Sequence, residues 1–342
     1  MSDVNTDSRF EDLLRIGSGM LLIPFLRRQD EGRTLAAIEP VAAPLAGLVR
    51  RWNWPTPRQW GSLGSGPGQF NSPQGVAISL GGDIVVCDTN NHRIQICWPD
   101  GTFVRMWGSK GAAPGQFDCP YAVAVSSVDE VFVADYHNHR IQVFRLDGSF
   151  LRTWGCKGAA PYPTGVAIHG DLVLVSHPWN HRIQCFRLDG TFVWMWGSHG
   201  AALGQFNEPL DLAVSASGSQ TESATLPLRG LGEVFVCDRG NCRIQVMDLY
   251  GTFLRRWGSQ GHAPGQFQHP EYVSASYAGE VLVSDKTRVQ VFLADGTFVR
   301  SLHLPAGAQG AFLPKGVAVM PSGDVVVSDV NNHRIYVEPA GA

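Results

Sequence analysis

No Cys-x-x-Cys pair occurs in this chain, no stretch carries helical spacing of useful length, and no apolar run approaches what a bilayer needs. The first absence removes the usual zinc and thioredoxin-like patterns. The seven cysteines (Cys87, Cys97, Cys119, Cys156, Cys185, Cys237 and Cys242) are odd in number, and several sit in apolar runs. Reduced, buried thiols in a cytoplasmic protein are the simplest expectation. Cys237 and Cys242 flank a loop, which leaves a bridge or a metal pair open as the lesser alternative. Charge is scarce too. The formal net charge is −3, so the strongly basic footprint of a nucleic-acid domain is missing. At the N-terminus, Asp3, Asp7, Glu11 and Asp12 precede any apolar run, and the segment from Met20 to Leu26 is short and interrupted by proline. Neither a signal peptide nor a membrane anchor is expected.

What is abundant is repetition. Asp88-Thr-Asn-Asn-His-Arg93-Ile-Gln returns as Asp135-Tyr-His-Asn-His-Arg140-Ile-Gln, Asp238-Arg-Gly-Asn-Cys-Arg243-Ile-Gln and Asp329-Val-Asn-Asn-His-Arg334-Ile-Tyr. Two copies are worn: His177 to Gln184, and the shortened Asp285-Lys-Thr-Arg288-Val-Gln. A period of about 40–50 residues points to a propeller or a solenoid. Within each unit, apolar runs rich in Val, Ile and Phe are bounded by Gly, Asp or Asn. Asp-Gly pairs at 100–101, 147–148, 189–190 and 295–296 suit tight turns. Four short antiparallel strands per unit, six times over, predict an all-β, six-bladed β-propeller.

The recurring Asp-x-x-Asn-x-Arg-Ile, with Pro-x-Gly-Val upstream as in Pro73-Gln-Gly-Val, resembles the NHL repeat family over residues of about 60–338. The resemblance implies a propeller similar to the NHL domain of tripartite-motif proteins. In that family the propeller acts as a binding scaffold beside a RING zinc module. This chain has no such cysteine/histidine pattern, so any role in ubiquitin ligation would be substrate recognition.

The unit does not begin at its innermost strand. Pro57-Arg-Gln-Trp60-Gly copies Val104-Arg-Met-Trp107-Gly, an outermost strand, while the last unit stops after Arg334-Ile-Tyr-Val337, a third strand. Residues near 57–61 are therefore expected to complete the sixth blade and close the ring, covering an exposed edge. Residues 1–56 form a leader, partly disordered or packed on the propeller, ahead of the propeller at 57–342. An insertion from Ser215 to Gly232, rich in Ser, Thr and Gly, separates two strands of the fourth unit.

The repeated carboxylates (Asp88, Asp135, Asp238, Asp285, Asp329) and guanidinium groups (Arg93, Arg140, Arg182, Arg243, Arg288, Arg334) are read as framework. Active sites are singular, and this pair is not. The series Trp60, Trp107, Trp154, Trp196 and Trp257 is read as wedge packing between blades, and Phe70, Phe117, Phe206, Phe267 and Phe312 as pins for the connections. His92, His139, His181 and His333 read as turn residues, spread too widely to share one metal. No catalytic residue, metal or cofactor is expected.

Specificity is sought where the repeat varies. The position after each turn proline holds Gln74, Tyr121, Thr164, Leu210, Glu271 or Lys315, ringing one channel mouth. The turns beside it add Asn90, Tyr136, His137, Trp179, Arg239, Lys286 and Asn331. One arc is aromatic (Tyr121, Tyr136, Trp179) and the opposite arc basic (Arg239, Lys286, Lys315, with Glu271 among them). Three functions compete for this face. The favoured one is a monomeric, non-catalytic scaffold for a protein or peptide partner. Single-stranded RNA is the alternative, since stacking rings and nearby cations suit it. A metal-dependent lyase or lactonase, a chemistry hosted by similar propellers, ranks third, because the ring offers one carboxylate and no histidine.

Overall fold

The computed structural model describes residues 14–16, 20–22, 58–158, 161–215, 232–305 and 310–340. Contacts divide the chain into units 1–51 and 52–342. Of the first unit, a hairpin is described, Leu14–Ile16 against Met20–Leu22, with Leu14 opposite Leu22. The remainder of the expected leader, and the 215–232 insertion apart from its end residues, lie outside the described residues. Where that insertion leaves the sheet, the Ser215 N–H donates to the Glu233 carbonyl at 2.9 Å.

The described residues between 58 and 340 form six four-stranded antiparallel sheets, the six blades. The first blade shows the pattern: Pro73–Ile78 innermost, then Ile84–Asp88, Arg93–Cys97 and Phe103–Trp107 outermost. The middle two strands are buried throughout, and the outermost is half exposed. That gradient explains why the middle strands read as unbroken apolar runs. The sixth blade takes Pro314–Val319, Val325–Asp329 and Arg334–Glu338 from one end of the propeller and Arg58–Trp60 from the other. Ile335 faces Trp60, Tyr336 faces Gln59 and Val337 faces Arg58. The ring is closed by the expected strand.

Six apolar clusters hold the ring together, one at each junction between neighbouring blades. At the first junction Cys87, Ile94 and Ile96 of one blade meet Val123, Val131, Val133 and Phe144 of the next around Phe117. Burying a phenylalanine of this kind contributes about 2–3 kcal/mol. On the outer rim each tryptophan lies over the hairpin turn of the following blade. A side chain at Gly101 would meet Trp60, and one at Gly190 would meet Trp154. Gly190 also has φ +90° and a ring carbon 2.7 Å from where its Cβ would lie. Gly190→Ala is expected to cost about 2 kcal/mol, read as a lower urea midpoint at unchanged slope. Wild-type stability in that variant would remove this account of the rim.

A second set of rim contacts gave no sign in the sequence. Two residues before three of these tryptophans, Arg58 donates to the Pro99 carbonyl (2.7 Å), Arg152 to Leu188 (2.7 Å) and Arg255 to Ala294 (2.9 Å). Trp194 does the same work in the third blade, its Nε1 donating to the Leu249 carbonyl at 3.2 Å. Each bond reaches the neighbouring blade, so the outermost strand is fastened sideways as well as within its sheet.

Candidate functional site

The repeated Asp and Arg lie at the end of the second strand and the start of the third, around a one-turn 3₁₀ helix such as Thr89–Asn91. In the first blade Arg93 Nε donates to Asp88 Oδ2 at 2.6 Å, while Nη1 and Nη2 donate to the carbonyls of Ser65, Gly66 and Gln69. Asp88 Oδ1 accepts the Asn71 N–H at 2.7 Å. The guanidinium and carboxylate together hold the connection that enters their own blade. The same contacts recur for Asp135 with Arg140 and Asp238 with Arg243, both carboxylates being fully buried. Asp285–Arg288 (3.3 Å) and Asp329–Arg334 (2.9 Å) complete the set. The neighbouring glutamines belong to the same hub: Gln95 Nε2 donates to the Gln69 carbonyl and to Asp88, and Gln142 and Gln245 repeat it. Their place in Arg-Ile-Gln was visible in the sequence, but no role was assigned.

The third blade breaks this hub. His177 replaces the carboxylate and is fully buried. Neither ring nitrogen makes a well-formed hydrogen bond, and Arg182 Nε is likewise unpaired. Arg182 turns instead to the Lys157 carbonyl at 2.7 Å. Burial, then the Arg182 charge, pushes the imidazole down to about 3, with the Pro161 carbonyl acting weakly the other way.

At the channel mouth the residues after the turn prolines come together unequally. Gln74, Tyr121, Leu210 and Lys315 are half buried, whereas Thr164 and Glu271 are buried. The Thr164 hydroxyl donates to the Leu210 carbonyl at 2.5 Å. The next residue along each strand matters more. It is small in four blades (Gly75, Ala122, Gly165, Gly316) but Asp211 in the fourth and Tyr272 in the fifth. Tyr272 brings a large ring into contact with the first two blades. Its ring stacks on Tyr121 (centroids 6.1 Å) and its hydroxyl donates to Gln74 Oε1 at 3.2 Å. Asp211 is buried beside it, accepts the Val273 N–H at 3.1 Å, and is pushed up to about 7 by that burial. Both departures stood in the sequence, one position beyond the residues singled out.

The surrounding face corrects one expectation and enlarges another. The basic arc is largely neutralised: Arg239 pairs with Glu208 and Lys315 with Glu271. Lys286 and Asn331 are exposed, as are His137 and Asn90. The aromatic arc is wider than expected. Tyr136 packs on Tyr121 (5.6 Å), His137 (4.7 Å) and Tyr162 (5.0 Å), and its hydroxyl accepts the Trp179 indole N–H at 3.0 Å. Trp179 remains 58% exposed. All seven cysteines are free thiols, Cys237 and Cys242 included. No helix among the described residues is long and apolar enough to cross a membrane.

Three segments, 70–97, 117–144 and 313–337, match the NHL repeat family. Protein brain tumor of Drosophila melanogaster is 28% identical over 138 residues, covering 39% of this chain and 12% of that protein. B-box type zinc finger protein ncl-1 of Caenorhabditis elegans is 53% identical over 45 residues, covering 13% of this chain and 5% of that protein. The matches therefore span a small part of either relative. Among solved structures, a gluconolactonase of Xanthomonas campestris superposes with a TM-score of 0.59 at 15% identity, over 80% of this chain and 87% of its own. At that identity the likeness speaks for the fold alone.

Proposed function

From a chain that carries NHL repeats in a six-bladed propeller, we propose a non-catalytic scaffold that recognises a protein or peptide on the face bearing the Asp–Arg turns. The observation that carries this reading is Trp179, a large exposed ring held through its indole N–H by Tyr136, which itself packs against Tyr121 and Tyr162. Rigid aromatic side chains of this kind supply most of the energy at protein interfaces. Tyr272 occupies the channel mouth, which favours binding over chemistry. The pairing of Arg239 and Lys315 with carboxylates favours protein over RNA, since little uncompensated positive charge is left for phosphates. Free thiols suit a reducing compartment such as the cytoplasm. Substrate recognition for a ubiquitin ligase is one use of such a scaffold.

Trp179→Ala is expected to leave stability within about 0.5 kcal/mol of wild type. Partner affinity should fall by about 2 kcal/mol or more, roughly 30-fold. Quantitative affinity capture from native lysate with both forms reads this directly. Equal recovery by the two forms would sink the proposal. Recovery abolished by nuclease, with a salt-dependent gel shift on single-stranded RNA, would move the assignment to RNA.

A further inference from the structure

One junction between blades combines groups that the others keep apart. In three blades a histidine in left-handed backbone conformation accepts, through Nδ1, the N–H of the residue before the next blade's proline. His92 takes Cys119 (3.1 Å), His181 takes Glu208 (3.2 Å) and His333 takes Ser72 (3.0 Å). The preceding dipeptides differ. Asn71-Ser72 is uncharged, and in Asn207-Glu208 the carboxylate is taken by Arg239. In Asp118-Cys119 no arginine or lysine pairs with the carboxylate among the described residues, and its Oδ1 lies 3.5 Å from His92 Nδ1.

Since His92 Nδ1 accepts an N–H, it presents a lone pair, not a proton. A lone pair and a carboxylate oxygen therefore face each other, with the Cys119 thiol at their side and hydrogen-bonded to that carboxylate. The three ligand atoms all lie within 4.8 Å of one another. Nitrogen, carboxylate oxygen and sulfur at one point on a half-exposed surface match a borderline-soft divalent cation.

We propose that His92, Asp118 and Cys119 form a zinc site that clasps the first blade to the second. On binding, zinc replaces the thiol proton, which leaves to solvent, and takes the Nδ1 lone pair from the Cys119 N–H. Water completes the tetrahedron. The site borders the candidate partner face, since the Tyr136 and His137 N–H groups donate to the Cys119 and Asp118 carbonyls.

Cobalt(II) is the direct probe, because ligation by thiolate produces a near-ultraviolet charge-transfer band. The control is the double variant Asp118→Asn, Cys119→Ser. It recreates the Asn71-Ser72 pair that this chain already folds at an equivalent junction, with φ of +53° at Ser72 against +56° at Cys119. Wild type is expected to show the band with one cobalt per chain. At zinc a hundredfold above its dissociation constant, its melting temperature should rise by about 5–10 °C. The double variant should keep the metal-free melting temperature and lose both responses. Asp118→Asn alone should weaken binding at least about tenfold. Absence of the band in wild type, or a band and zinc shift that survive in the double variant, overturns the site.

Discussion

A chain lacking residues 1–62 is expected to melt about 10–20 °C below one lacking only residues 1–51. The difference isolates the closing strand. Losing it removes the packing of Trp60 on the Gly101 turn, about 2–3 kcal/mol. It also removes two long-range bonds, Arg58 to the Pro99 carbonyl at 2.7 Å and Arg334 to Gln59 at 2.5 Å, of about 1 kcal/mol each. The Arg334–Glu338 strand is left with an unpaired edge. The sum is about 5 kcal/mol, and a propeller of this length shifts by about 2–4 °C per kcal/mol. Aggregation should rise as well. Matching melting curves for the two truncations would mean that the ring is held shut by something other than this strand.

The second large effect is acid lability at His177. Its imidazole titrates at about 3 in the folded chain and at about 6.5 when unfolded. Between those values the unfolded state binds the extra proton, so stability rises with pH and is lost as pH falls. The loss begins near pH 6.5 and grows by about 1.4 kcal/mol per pH unit, reaching about 5 kcal/mol if followed down to pH 3. His92 and His181, lowered mainly by burial, add smaller losses in the same direction. His177→Asp restores the carboxylate of the other five blades opposite Arg182, whose Nε is unpaired. Asp211, raised to about 7 in the folded chain, works the other way as pH falls from 7 to 5, so wild type should stay nearly level there while the unfolding free energy of the variant rises towards pH 5. Urea titrations at three pH values suffice, and parallel slopes for the two proteins would refute the assignment to His177.

How much of this was legible depended on whether a feature repeats. The Asp–Arg hub and the closing strand recur in register, so the Pro57–Phe70 stretch could be recognised as a copy of Val104–Phe117 and its partner found at the far end. The candidate face was legible as a set of variable positions, and Trp179, Tyr136 and Tyr121 do meet there. Partnership between blades was not. Glu271 cancels Lys315 across 44 residues of chain, a contact that only the curvature of the ring brings about, whereas Glu208 cancels Arg239 within the fourth blade. Tyr272 was overlooked for a different reason. A bulky residue on an innermost strand reads as ordinary core until its contacts with Tyr121 and Gln74 are seen. The rim arginines escaped notice because their acceptors are backbone carbonyls, which leave no trace in side-chain pattern.

The pairing of Gln59 with Arg334 spans 275 residues. On a ribosome adding about 5–20 residues per second, the closing strand waits roughly 14–55 s for its partner to be synthesised. Throughout that interval the nascent chain has no way to finish its last sheet, however well the earlier blades have formed. Completion therefore waits for synthesis of the sixth blade, and until then the last sheet keeps an uncovered edge.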